Sequence, residues 1–121
     1  MTLLLVMIGA ALGAPSRWLL DQSVQSRWER VFPLGTFTVN VLGCALLGAL
    51  LGLADVGSTT TGMVALLGTG FCGGFTTYST FGFETLRLAE DGARLEAGLN
   101  VALSLAVGLA ASMAGWFLAT L

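Results

Sequence analysis

The chain has 121 residues, 55% of them hydrophobic and 10% charged, with a mean hydropathy of +0.87. A membrane-spanning helix takes about 20 residues, so four spans use most of this length and exclude a separate soluble catalytic domain. Five Arg against seven acids give a formal net charge of -2, and the absence of Lys and His excludes a basic nucleic-acid surface and any imidazole proton relay.

A first span is expected over residues 3–20. Its apolar run reaches small residues by Ala14, the outline of a signal peptide, but no basic segment precedes it and three further spans follow, so it reads as the first helix. Gly9, Gly13 and Arg17 recur every fourth residue along one helical stripe, and Pro15 falls where it would kink the last turn. Arg17 has two readings: an anchor whose guanidinium snorkels to the interface, or a structural or ion-attracting group. Residues 21–33 turn polar, and Arg27, Trp28, Glu29 and Arg30 suggest an interfacial loop or short surface helix with an aromatic anchor.

The second span, residues 34–53, carries Gly35-Thr36-Phe37-Thr38-Val39-Asn40-Val41-Leu42-Gly43, which puts a carboxamide well inside the membrane. Asn40 either bonds across to a neighbouring helix, for about a kcal/mol or less, or lines a path together with Phe37 one turn earlier. Cys44 and Cys72 both fall inside expected spans without a ligand cluster and read as small packing residues.

After a link over residues 54–62 with Asp55 and no basic residue, the third span is expected over residues 63–84. It contains Gly68-Thr69-Gly70-Phe71-Cys72-Gly73-Gly74-Phe75-Thr76-Thr77-Tyr78-Ser79-Thr80-Phe81-Gly82-Phe83-Glu84, with adjacent glycines followed closely by a run of hydroxyls. Gly73-Gly74 weakens helix continuity, and a break there would free carbonyls from one half-helix and amide hydrogens from the other. Such a break is tolerated at membrane depth only where protein or a water-filled cavity covers it. The competing reading is that Gly70 and Gly74 serve close helix packing, with the hydroxyls bonding back one turn. That reading leaves the interleaved aromatics Phe71, Phe75, Tyr78, Phe81 and Phe83 unexplained.

Residues 86–98 are polar again, and the fourth span follows over residues 99–121. Within it Asn100, Ser104, Gly108 and Ser112 fall every fourth residue, a small polar stripe facing protein rather than lipid. No Asp, Glu, Lys or His lies in the interior of an expected span, which disfavours proton-coupled transport and leaves hydroxyls, one deep amide, freed backbone groups and ring edges. Those groups suit an ion that binds weakly and leaves again, and a passive pore follows more easily than a pump.

The chain resembles the Fluc fluoride channels, or CrcB family, through Gly9-x-x-x-Gly13-x-x-x-Arg17-Trp18, the Gly35-Thr36-Phe37-x-Val39-Asn40-x-x-Gly43 segment and the run from Gly70 to Phe81. The resemblance implies an all-α membrane protein: four transmembrane helices with a broken third helix, assembled as an antiparallel, dual-topology dimer in the cell inner membrane. It also implies two fluoride pores and a structural sodium ion at the dimer centre, held by the backbone carbonyls of Gly73 and Thr76 from each subunit. Asn40 matches the pore-lining asparagine, Ser79 and Ser112 the polar track, and Tyr78 and Phe81 the two phenylalanine positions whose edges face fluoride. Tyr78 departs from the family by adding a hydroxyl, and Gly82 departs where a serine is frequent.

Two other classes fit the length: a small dual-topology multidrug exporter, which wants a membrane carboxylate that residues 3–20 lack, and a non-catalytic packing subunit, which leaves the hydroxyl-aromatic cluster unexplained. All five Arg lie on the side of residues 17–33 and 86–98, whereas the termini and residues 54–62 lie on the other. The positive-inside rule thus favours a single orientation, in tension with dual topology. A homodimer is expected, with a heterodimer of paralogues as the alternative.

Overall fold

The computed structural model describes residues 1–27 and 32–121, and among the described residues every regular element is helical. The helices are α1 (Thr2–Arg27), α2 (Leu34–Asp55), a composite α3 over residues 61–75, α4 (Ser79–Glu90) and α5 (Arg94–Thr120). Three of them, α1, α2 and α5, are long and apolar enough to cross a membrane. The remaining pair, α3 and α4, is a bent helix interrupted between Phe75 and Ser79. The chain is therefore a multi-pass helical membrane protein.

Several boundaries differ from expectation. Helix α1 runs past residue 20 to Arg27 with Pro15 inside it, and the Ser16 and Ser23 hydroxyls and the Gln25 amide each donate to a partner one turn earlier on the same helix. Part of the polar segment after the first span is thus helical, whereas Trp28, Glu29 and Arg30 lie outside the described residues. At the other polar link, α4 continues to Glu90 and α5 starts at Arg94, leaving a turn around Gly92 at φ +85°. Ala93 N–H donates to Leu88 O at 2.8 Å and Gly92 N–H to Ala89 O at 3.3 Å, the Schellman pattern that ends a helix on a left-handed residue. Gly57 ends α2 in the same way, with Ser58 N–H on Leu53 O at 2.8 Å. Thr60 then opens α3, its hydroxyl accepting from Met63 N–H at 3.2 Å.

The main pairings are α1 on α3 and α2 on α5, and both are built on glycine. A Cβ on Gly70 would lie 2.7 Å from Val6 O, and one on Gly74 2.9 Å from Ala10 O, so these positions bring the backbones of α1 and α3 together. Gly9 and Gly13 answer from α1, against the backbones of Leu66 and Phe71. On the other pair, Gly48, Gly52 and Gly115 meet the backbones of Ser112, Trp116 and Ala45. Lipid tails are as apolar as leucine, so helices associate here by close van der Waals approach, which small residues permit. The packing reading of Gly70 and Gly74 therefore holds for those two residues.

Composite α3 begins with an α-helical turn, Thr61–Met63, widens into a π-helix over Val64–Cys72 and returns to α-helix at Gly73–Phe75. Gly73 has ordinary helical angles, φ -62° and ψ -39°, so the break does not fall at Gly73-Gly74 as expected. It begins at Thr76, which is extended at φ -85° and ψ 161°. The glycines lower the cost of interruption, but the hydroxyls and the facing amide after them decide where it occurs.

Candidate ion pathway at the helix break

A helix that stops inside a membrane leaves carbonyls without intrahelical donors, and the following half-helix leaves amide hydrogens without acceptors. Thr76 closes the first end: its N–H and its hydroxyl both donate to Cys72 O, at 2.9 and 2.8 Å. Thr77 opens the second, its hydroxyl accepting from Thr80 N–H at 3.2 Å in the manner of a helix cap. Between them the backbone of Thr77 is held from α2. Its N–H donates to Asn40 Oδ1 at 2.8 Å, and Asn40 Nδ2 donates to its carbonyl at 2.9 Å. Among the described residues no backbone amide donates to the carbonyls of Gly73 or Thr76.

An open groove of about 650 Å³ runs along this break, with Asn40, Gly73, Thr76, Tyr78, Phe81 and Ser104 in its wall. Five of the residues expected at a site from the sequence thus share one surface. A Cβ on Gly73 would meet nothing within 4 Å, which identifies an unfilled side of α3, unlike neighbouring Gly74. Tyr78 and Phe81 present their rings at a centroid separation of 6.2 Å and a tilt of 48°. Tyr78 is 86% exposed in the single subunit.

Ser79 and Ser112 are not brought into this groove. Ser79 is exposed on α4, and Ser112 is half-buried with its backbone against Gly48. Ser104 occupies the groove from α5, two turns before Ser112 on the stripe already visible in the sequence. Behind it, Asn100 is only 1% exposed and donates to Thr85 Oγ1 at 2.7 Å, while Ser104 Oγ donates to Asn100 Oδ1 at 3.4 Å. Thr85 Oγ1 in turn donates to Phe81 O at 2.8 Å, so a chain of hydrogen bonds supports the aromatic part of the groove. The four-residue repeat marked these positions as facing protein, but spacing alone could not say which serine met the break.

A second, smaller cavity of about 210 Å³ is lined by Arg17, Trp18, Asp21, Thr36 and Thr80, and Thr77 lines both cavities. Arg17 thus borders a cavity between α1, α2 and the helix break. Beside this cavity the buried Thr36 hydroxyl donates to Glu84 Oε1 on α4. Glu84 stands at the end of the third span expected from the sequence, outside the span interiors that hold no carboxylate. The hydrogen bond draws Glu84 inward because a buried hydroxyl on α2 sits opposite it.

The chain matches the family described as CrcB-like protein, Camphor Resistance (CrcB), over residues 4–116. It is 52% identical over 118 residues to a protein of Streptomyces avermitilis named Fluoride-specific ion channel FluC 1, covering 97% of this chain and 95% of that one. A Frankia casuarinae protein of the same name is 52% identical over 124 residues, covering 98% and 96%. A Mycobacterium tuberculosis protein named Fluoride-specific ion channel FluC 2 is 45% identical over 114 residues, covering 94% and 87%.

Proposed function

The chain belongs to the CrcB family, a family of passive ion channels and not of enzymes, and from that premise we propose that it conducts fluoride out of the cell and so lowers its toxicity. The observation that carries the reading is the groove in which Asn40, Thr76, Tyr78 and Phe81 meet at a helix break. Fluoride is small and strongly hydrated, so hydroxyl, amide and ring-edge hydrogens at close spacing can replace its water. An inside-negative potential drives an anion outward by about 2.3 kcal/mol per charge per 100 mV, so export needs no coupled ion. The pathway is proposed to include Asn40, Tyr78, Ser79, Phe81 and Ser112, with Ser104 added on account of its place in the groove wall.

The functional unit is proposed to be an antiparallel dimer in the plasma membrane. A single subunit leaves the groove open, and the unpartnered carbonyls of Gly73 and Thr76 lie on residues of its wall. Neutral carbonyl oxygens at an unwound helix suit sodium, and two from each of two copies make a set that neither copy has alone. When bound there, sodium would supply positive charge that holds the two breaks together. The arginine distribution leaves two assemblies in competition, a homodimer and a paralogous heterodimer, and the homodimer is favoured because five arginines make only a small bias.

Fluoride efflux from liposomes containing only this protein tests the reading. Efflux that discharges a fluoride gradient, with chloride retained, is expected. Its absence from correctly assembled protein overturns the channel assignment.

A further inference from the structure

The Asn40 carboxamide offers one acceptor and one pair of donors. Its acceptor is occupied by Thr77 N–H at 2.8 Å and one of its donors by Thr77 O at 2.9 Å, so both backbone groups of one residue are bridged by one side chain. Thr77 is outside any helix and would otherwise leave these groups unpaired at membrane depth. The same residue caps α4 through its hydroxyl and stands in the wall of both the 650 Å³ groove and the 210 Å³ cavity. Whatever fixes Thr77 therefore fixes the partition between the two spaces and the start of the helix that carries Phe81.

We infer that Asn40 is a positioning residue: it locks the helix break by clamping Thr77, and acts on conduction through that partition rather than as the principal ligand of the ion. The clamp requires a donor and an acceptor side by side. Aspartate in this place can accept from Thr77 N–H but cannot donate to Thr77 O, and would set two oxygens against each other. Alanine leaves both backbone groups without partners. Glutamine keeps the chemistry on a longer stem.

The inference rests on the fluoride reading for its effect on flux but not for its structural half, so two measurements are made on dimeric protein in liposomes. The first is residue-level hydrogen exchange at Thr77. Asn40→Ala is expected to speed exchange of the Thr77 amide by about tenfold or more, the consequence of losing a buried hydrogen bond, and Asn40→Gln to restore part of the protection. The second is fluoride efflux as a function of fluoride concentration, where Asn40→Ala should lower the maximal rate and leave the half-saturating concentration within about twofold, since an untouched ligand set keeps its affinity. Unchanged Thr77 exchange in Asn40→Ala overturns the clamp. A half-saturating concentration raised by an order of magnitude at unchanged maximal rate overturns the positioning role and makes Asn40 a ligand. Absence of flux from the unsubstituted protein would instead sink the channel reading, and the exchange measurement would still decide the clamp.

Discussion

At Phe81 the groove presents an aromatic ring beside that of Tyr78, and a ring edge carries partial positive charge that an aliphatic side chain lacks. Phe81→Ile keeps apolar bulk but removes this edge. Fluoride efflux is expected to fall at least about tenfold, the loss of one anion contact, while elution on size-exclusion chromatography stays unchanged. Tyr78→Phe removes only a hydroxyl from a largely exposed ring, and efflux within about twofold of the original is expected. Full efflux in Phe81→Ile would take the aromatic pair out of the path. The adjacent glycines make a second contrast at this scale. Gly74→Val forces a branched side chain against the Ala10 carbonyl and should destabilise the fold by about 1–3 kcal/mol or more, seen as a lower melting temperature in detergent. Gly73→Ala meets open space within its own subunit and should leave the subunit's fold intact. A loss of efflux with the fold intact would support the proposed contact of Gly73 with a second copy.

Between elements, the contact of α4 with α5 depends on a buried polar pair rather than on glycine. Asn100 has almost no exposure, and its donor is matched by Thr85 Oγ1. Thr85→Val leaves that donor buried and unsatisfied, which costs about 1–3 kcal/mol. Changing Asn100→Leu as well removes the orphan and should recover most of the loss. A double-mutant cycle on thermal or denaturant unfolding in micelles checks this, and additive losses would show that the pair is not coupled. The role of the contact is to fix α4, and with it Phe81, against α5.

For the whole molecule, the fold puts both termini and the α2 to α3 link at one end, where Asp55 is held by Trp116 Nε1 at 2.7 Å, and Arg17, Arg27, Arg87 and Arg94 toward the other. Acidic residues accompany those arginines, including Arg87 and Asp91 in an exposed pair at 3.9 Å, worth little to stability. Expressed alone, a chain that forms an antiparallel homodimer should show N-terminal tags labelled from both faces of the membrane. Labelling from one face only would establish a single orientation and require a second chain in the opposite sense.

Hydropathy and length were enough to determine a helical membrane protein, because the cost of burying an unpaired backbone in lipid leaves few other solutions. The glycine spacing marked the faces of α1 and α3 that touch, and the motif from Gly70 to Phe81 located the interrupted helix. Only the tertiary structure decided that the interruption starts at Thr76 instead of Gly73, since a glycine pair permits a break while the Asn40 carboxamide, 37 residues away in the chain, makes it stable at Thr77. It likewise decided that Ser104 faces the groove, that Ser79 and Ser112 do not, and that Glu84 turns toward Thr36. Each of these outcomes depends on a partner supplied by another helix, and a pattern read along one helix holds no information about what stands opposite it.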